Sequence, residues 1–204
     1  AKLHIENGDM RIEKDTKATI GFRGHTTGST ALAFRDANAA VDRMTIDASG
    51  NVGIGTDSPS ALLHLKATGG SVIQQFETTG GTVARTWKNF VSSGTGAYHI
   101  QDATASANRV VIDTSGNVGI GNSSPSGVSG DGNNLVIGSA SGDNGLSIIS
   151  GTSNSGSIYF GDTQETGSQS RRGQLVYNHS DDAMKVFTAS TERMRITGDG
   201  AMQI

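Results

Sequence analysis

Apolar side chains alternate with polar residues or glycine in short bursts along the chain, and clusters of Gly, Ser, Asn and Thr separate the bursts. A period of two residues is typical of β-strands that bury one face, because successive side chains point to opposite faces. The clusters between the bursts contain the residues that form tight turns. The pattern therefore predicts an all-β chain. Outside the repeated motif described next, the predicted strands are residues 72–77, 85–90, 98–101, 135–137, 146–149, 157–160, 174–177 and 184–187.

A ten-residue motif occurs twice and sets the organisation of the chain. Residues 46–55 read Ile-Asp-Ala-Ser-Gly-Asn-Val-Gly-Ile-Gly, and residues 112–121 differ from them at one position. A weaker third copy occupies residues 196–204, and an arginine precedes each copy at the same distance: Arg43, Arg109 and Arg193. Self-similarity of this kind indicates repeated structural units. We place the units at residues 1–60, 61–126 and 127–204, the third truncated inside its motif, and expect a middle segment of a longer repetitive protein.

Each strong copy of the motif predicts a tight β-hairpin. An alternating strand comes first, a turn follows, and the short strand Val-Gly-Ile resumes the alternation. The turn residues are Gly50, Asn51, Gly116 and Asn117. In Val-Gly-Ile one face carries only glycine, which permits another backbone to approach closely. Pro59 and Pro125 lack a backbone N–H, and we expect them to end the pairing.

The composition indicates that burial is shared between repeated units or between chains. Glycine occurs 29 times, hydrophobic residues make up 34% of the chain, and aromatic residues make up only 5%. That is little large apolar material for a solitary core, and an isolated hairpin is marginal in water. Three identical chains around an axis would bury their Val/Ile faces together and protect the sheet edges. The side chains predicted to point toward the axis or an adjoining core are Val52, Ile54, Val118 and Ile120.

The motif, with its leading arginine, the following Ser-Pro-Ser and a Leu-His-Leu strand, resembles the repeat of bacteriophage tail fibres and tailspikes. It is the type found upstream of an endosialidase-type intramolecular chaperone. Residues 42–65 and 108–126 carry the resemblance, and residues 133–204 are similar to the stretch before that chaperone. Residues 6–41 match nothing in the family, and residues 201–203 depart from its Asn-Val-Gly turn.

The resemblance implies an intertwined homotrimeric fibre of small β modules joined by short hairpin motifs. Its expected location is the tail fibre of the virion, extracellular during host contact. The implied function is to project a receptor-binding tip and support attachment to the host cell. The implied partners are the chain itself, other tail or baseplate proteins, and a host surface polysaccharide or protein receptor.

Charge and length exclude other classes. Sixteen basic residues oppose 19 acidic ones, so bulk charge does not favour nucleic acid. No apolar run approaches the length of a membrane span, so membrane insertion is not expected. The absence of cysteine excludes disulfides and thiolate metal sites.

No motif predicts catalysis or a cofactor. Residues 50–55 lack the spacing of a phosphate-binding loop, and residues 129–134 are one degenerate copy of a calcium-binding repeat that needs stacked copies. The histidines lack metal-site spacing, and Asp181 and Asp182 show no signature of a glycosidase pair. Trp87, Tyr98, Tyr159 and Tyr177 favour a core or subunit interface over sugar stacking. We therefore predict a structural protein without enzymatic activity. The alternatives are a secreted bacterial trimeric adhesin stalk and a polysaccharide-degrading tailspike.

Overall fold

The chain is all-β, as predicted. A computed structural model describes residues 4–6, 9–11, 20–24, 32–36, 38–80, 83–128, 130–164, 167 and 169–204. These residues form three β-sheets, with two short 3-10 helices at Pro125–Gly127 and Gln169–Arg171. Much of the stretch 6–41, which matches nothing in the family, lies outside the described residues, and so does His25.

The first compact unit, residues 1–142, contains two sheets whose strands are neighbours in chain order. The first sheet comprises β1 (His4–Glu6), β2 (Asp9–Arg11), β3 (Ile20–Gly24), β4 (Leu32–Asp36), β5 (Val41–Ile46), β6 (Val52–Ile54) and β7 (Leu63–Leu65). The second comprises β8 (Val72–Thr78), β9 (Arg85–Val91), β10 (Tyr98–Asp102), β11 (Ala107–Ile112), β12 (Val118–Ile120) and β13 (Leu135–Ile137). Neighbours are antiparallel except for β6–β7 and β12–β13, which are parallel.

The second compact unit, residues 143–204, contains the third sheet, which is antiparallel throughout. Its strands are β14 (Ser155–Phe160), β15 (Gly173–Asn178), β16 (Ala183–Thr188), β17 (Thr191–Ile196) and β18 (Met202–Gln203). The strand predicted at residues 146–149 is wrong, because this segment pairs with no strand. Ile148 instead packs on Gly156, where an added Cβ would lie 3.2 Å from the Ile148 Cγ2. Ile148 therefore lies against the sheet, whereas Leu146 and Ile149 remain 67% and 93% exposed.

A shared three-stranded module is longer than the sequence repeat. It consists of β4–β5–β6 in the first sheet, β10–β11–β12 in the second and β16–β17–β18 in the third. In each module the pairing of the first two strands shifts by one residue, so that one residue of the middle strand has no partner opposite it. That residue is Arg43, Arg109 or Arg193 in the successive modules. The repeated arginine therefore marks a β-bulge, which bends the strand locally and increases its twist.

The glycine of Val-Gly-Ile is required because the following backbone turns back over it. A Cβ on Gly53 would lie 2.4 Å from the Thr56 carbonyl oxygen, and a Cβ on Gly119 would lie 2.2 Å from the Asn122 carbonyl oxygen. Both distances are far below ordinary contact. The close approach that the sequence predicted is thus made by the chain's own next turn.

A parallel strand continues the sheet after each proline. In the first sheet the Val52 N–H donates to the Leu62 carbonyl at 2.9 Å, and the Lys66 N–H donates to the Ile54 carbonyl at 2.9 Å. The second sheet has the same pair of bonds between β12 and β13. The expectation that Pro59 and Pro125 end the pairing is therefore wrong. Each proline lies in the crossover connection between the two parallel strands. Its missing N–H therefore removes no hydrogen bond between strands of the sheet.

Each sheet has one face with buried side chains and one face that the described residues leave largely open. In the second sheet His99, Val111 and Gly119 are cross-strand neighbours on the covered face, where Val111 is 1% exposed. The other face carries an apolar row that crosses all six strands through Val72, Val91, Tyr98, Ile112, Val118 and Leu135. Most of this row is exposed.

Equivalent rows occur in the other sheets. In the first sheet the equivalent register aligns Leu32, Ile46, Val52 and Leu63, and a second row on the same face aligns Phe34, Met44, Ile54 and Leu65. In the third it aligns Gly156, Tyr177, Met184, Ile196 and Met202. We call the face that carries each row the open apolar face of its sheet.

We expect Gly119→Ala to lower the free energy of unfolding by about 1–3 kcal/mol, because the new methyl group would overlap the Asn122 carbonyl oxygen. Urea unfolding followed by circular dichroism measures the change. Gly70→Ala is the matched control, since a Cβ there meets nothing within 4 Å. Equal stabilities for the two variants would contradict the close crossing.

Candidate functional site

The turn of the first motif is held by one carboxylate. Asp47 accepts hydrogen bonds from the backbone N–H of Ser49 at 2.8 Å and of Asn51 at 2.9 Å, and from the Asn51 side-chain amide at 3.0 Å. Gly50 has a φ of +84°, a value that side-chain-bearing residues rarely adopt. The hydrogen bond from the Asn51 backbone is the main cause that holds the pKa of Asp47 below its ordinary value.

The second motif reproduces this turn in detail. Asp113 accepts from the backbone N–H of Ser115 and Asn117, both at 2.9 Å, and from the Asn117 side-chain amide at 3.0 Å. Gly116 has a φ of +85°. The Asn117 side-chain hydrogen bond is the first cause of a lowered pKa for Asp113. A carboxylate that accepts three hydrogen bonds is held in its ionised form, which suits a structural cap.

The third copy keeps the backbone of the turn although its residues differ. Gly200 has a φ of +86° and its N–H donates to the Thr197 carbonyl at 2.8 Å, as Gly50 and Gly116 do to their aspartates. The carboxylate has moved two positions along the turn, to Asp199, which accepts from the Thr197 hydroxyl. The turn therefore depends on the glycine and on a local carboxylate rather than on one fixed aspartate.

The bulge arginines connect the hairpins on either side of them. Arg43 donates to the Asp36 carboxylate at 2.7 Å, and Arg109 donates to the Asp102 carboxylate at 3.0 Å. Arg193 donates to the Thr188 hydroxyl at 3.2 Å. In the second sheet the Arg109 carbonyl also accepts from the N–H that follows Val-Gly-Ile, at 2.9 Å. Each arginine thus joins the preceding hairpin to the closing one.

We use the term joint for each bulge with its turn and closing strand, at residues 43–55, 109–121 and 193–204. The sequence repeat revealed the arginines but not their acidic partners. Asp36 and Asp102 stand seven residues before Arg43 and Arg109 and 66 residues apart, so extending the repeat upstream would have found them.

The four predicted axial residues lie together on the open apolar faces. Val52 and Val118 are half-buried, whereas Ile54 is 46% and Ile120 is 45% exposed. Ile54 pairs across the sheet with Met44, and Ile120 pairs with Val110. That they face a three-fold axis stays a prediction. The boundaries of the three predicted units also stay predictions, although β7 and β13 each pair with the sheet that precedes such a boundary.

The concavities lined by described residues include one on the third sheet and one beside the β8–β9 hairpin. One, of about 270 Å³, lies on the third sheet and has mainly apolar walls that include Leu146, Ile158 and Met184. The other, of about 470 Å³, lies at the end of the β8–β9 hairpin and is lined by hydroxyl and charged groups that include Thr86, Thr104 and Lys88.

Two further candidate side chains, His99 and Asp181, have packing or ion-pair partners. His99 is buried and stacks on Phe90, with ring centroids 4.6 Å apart. Asp181 accepts from the buried Lys185 at 2.6 Å, and this hydrogen bond is the main cause of its lowered pKa. A general acid needs a raised pKa, so Asp181 is unsuited to that role. Within the described ranges, no three His, Asp or Glu side chains converge as metal ligands.

Compared with known proteins, the chain matches no family model and no curated protein. Nor is any helix in the described part of the chain long and apolar enough to cross a membrane.

We expect Asp113→Asn to lower the melting temperature at pH 7 and to lose this effect in acid. The pKa of Asp113 lies below its ordinary value of 3.8. The ionised carboxylate therefore stabilises the folded chain above that pH, and the contribution disappears as the pH falls through the folded-state pKa. Thermal unfolding from pH 7 to pH 2 measures the difference. Asp131→Asn, in an exposed loop, is the control. A difference from wild type that did not change with pH would contradict the role of the charge.

Proposed function

We propose that the chain is a shaft segment of a phage tail fibre. In this proposal three copies intertwine around an axis, and the assembly projects a receptor-binding tip from the virion. Its role is mechanical: it holds the tip away from the tail, transmits engagement to the baseplate proteins, and catalyses nothing. Three-fold presentation converts weak contacts with a host surface into avidity.

The observation that carries the proposal is the recurrence of the open apolar face in each sheet. The face occurs at the same positions of each joint, and Ile54 and Ile120 are exposed to nearly the same extent in the single chain. An apolar surface that recurs in every repeat favours a partner with the same repeat. Sister copies in register satisfy this condition, because each brings its own Val and Ile side chains to the same level of the axis.

The energetics support burial of these faces between copies. Fully burying a Val, Leu or Ile side chain contributes about 1.5–3 kcal/mol of favourable free energy. A side chain that is half exposed in the single chain gains a large share of this free energy only when assembly buries it. The glycine side of β6 and β12 cannot supply this contact, since the chain's own next turn already occupies it. Assembly through the Val/Ile side therefore leaves the fold of each module unchanged.

We expect light scattering of the purified chain to give three times the chain mass, and Ile120→Asp to abolish this assembly. The mutation would bring three carboxylates together in an apolar interface, where charges are strongly disfavoured. Light scattering reports the mass, and circular dichroism reports whether the variant remains β-rich.

Ile73→Asp is the matched control for Ile120→Asp. Ile73 is 50% exposed and lies on the same sheet, but its register places it on the face opposite Ile120. We expect this variant to remain trimeric. A stable folded monomer of the wild type, or equal effects of the two substitutions, would overturn the proposal.

We expect deletion of residues 61–126 to leave a shorter trimer that still folds. The deletion joins Ser60 to Gly127, so that β13 follows β6 through one crossover, as β7 does in the intact chain. A deletion of equal length at residues 94–159 removes β10 to β13 and all but the last residue of β14, so it interrupts the second and third sheets, and we expect it to prevent folding. Light scattering and thermal unfolding compare the two. Failure of both deletions would contradict interchangeable joints.

A further inference from the structure

One corner of the second sheet combines exposed aromatic rings with arginines. The register places Phe76, Trp87 and Asp102 side by side on β8, β9 and β10. Arg85 precedes Trp87 by two residues and so lies on the same face, and Arg109 reaches this face through its bond to Asp102. We call these five residues the corner patch. Their location at the end of the hairpins separates them from the apolar row.

On β8 and β9 polar residues lie between the corner patch and that row, whereas on β10 the apolar Ile100 lies between them. Gln74 and Asn89 are paired on β8 and β9, one position along the same face from Phe76 and Trp87. The outer row begins beyond them, with Val72 and Val91. The corner patch is therefore the aromatic and charged edge of the face that we propose as the trimer interface, and polar side chains on β8 and β9 set it off from the outer row.

The patch is both accessible and built around a buried anchor. Phe76 is 53% and Trp87 is 39% exposed, and the side chains of Arg85 and Arg109 are 48% and 52% exposed. The Asp102 side chain is only 5% exposed and contacts both guanidinium groups, Arg85 at 3.5 Å and Arg109 at 3.0 Å. One buried carboxylate thus orients two half-exposed arginines.

The charge of the patch favours an anionic ligand. Two guanidinium groups share one carboxylate, so one positive charge is uncompensated. The pKa of Asp102 is lowered, mainly by its hydrogen bond from Arg109, so this carboxylate stays ionised and bound to the arginines. Glu77, the nearest acidic residue along β8, lies on the opposite face, where it pairs with Thr86.

A comparison of the joints separates structural residues from additional ones. The first sheet has the same clamp between Arg43 and Asp36, so Arg109 and Asp102 are explained by the joint. The residue paired with Asp36 on the neighbouring strand is Ile20, where the second sheet has Trp87 opposite Asp102. The joint therefore requires neither the aromatic ring nor a second arginine, and Trp87 and Arg85 need another explanation.

We propose that the corner patch binds a sugar ring that carries a carboxylate, as in an acidic polysaccharide. The apolar face of the ring would stack on Trp87, because an exposed indole offers a flat apolar surface. The carboxylate would accept charge-assisted hydrogen bonds from Arg85 and Arg109, in the paired geometry that guanidinium groups provide. The inference requires that the patch, at the edge of the proposed trimer face, stays accessible in the assembled protein.

A nucleic acid strand is the less favoured ligand. Stacking on an aromatic ring beside arginines also suits a base and its phosphate. Such binding normally follows an extended basic groove, whereas the patch has two arginines and the whole chain has a net charge of −3. An oligonucleotide is therefore included as an outcome of the test.

The sole tryptophan of the chain lies in the patch, so its fluorescence reports binding directly. We would titrate the intact chain with polyglucuronic acid oligosaccharides, with polysialic acid, with neutral dextran and with single-stranded poly(dT). The expected result is a saturable change in Trp87 emission with the two acidic polysaccharides and none with dextran or poly(dT). Arg85→Gln should weaken binding about tenfold, as loss of one charge-assisted hydrogen bond predicts.

Arg43→Gln is the matched control, since it breaks the equivalent clamp in the first sheet and leaves the corner patch intact. We expect it to bind the acidic polysaccharides as wild type does. Trp87→Phe should retain part of the affinity measured by calorimetry, whereas Trp87→Ala should lose it. Calorimetry is needed here because these variants lack the fluorescent reporter.

Three results would overturn the inference. They are equal binding by wild type and Arg85→Gln, preference for poly(dT), and protection of Trp87 from acrylamide quenching in the ligand-free protein. The last result would mean that the tryptophan is covered in the assembled protein. Light scattering on the same samples gives the assembly state separately, so a failure of this inference is distinguishable from a failure of the trimer.

Discussion

The passage of the backbone over Gly53 and Gly119 is the constraint on which the architecture depends. In each case a carbonyl oxygen of the next turn occupies the space of an absent side chain. This contact closes one face of the strand with the chain's own backbone and directs the crossover toward the parallel strand that follows. The Val and Ile side chains of the same strand must then project from the other face, which the described residues leave largely open.

The joints combine strong local constraints with tolerance of change. Gly50, Gly116 and Gly200 have nearly the same positive φ, while the carboxylate that supports the turn moves from Asp47 or Asp113 to Asp199. The bulge arginine likewise binds an aspartate in two joints and the Thr188 hydroxyl in the third. Backbone conformation is thus kept while its side-chain support varies. Such variation is expected if the repeated element is needed for its backbone shape and not for a particular reactive side chain.

Variation between the sheets is concentrated away from the joints. The third sheet buries Lys185 beside Asp181, where the first and second sheets bury Ala33 and His99 at the equivalent positions of their covered faces. The second sheet alone adds Arg85 and Trp87 to the clamp that it shares with the first. A repeated scaffold whose sheets differ at such surface positions can present a different binding surface at each repeat. The proposed fibre would use this property along its length.

Local pattern in the sequence determined the all-β character, the turn glycines, the repeated arginines and the separation of Val/Ile from Gly on β6 and β12. These features depend on residues within a few positions of each other, so alternation and turn chemistry suffice to predict them. The parallel strands β7 and β13, the β-bulges and the aspartates that bind Arg43 and Arg109 were decided only by the tertiary structure. The parallel strands and the bulges depend on which strands become neighbours, which local pattern does not specify. The aspartates follow the 66-residue repeat, but only the strand pairing shows that each of them binds its arginine. The unpaired segment 146–149 shows the same limit, because a short apolar run does not reveal whether its backbone pairs with a neighbouring strand.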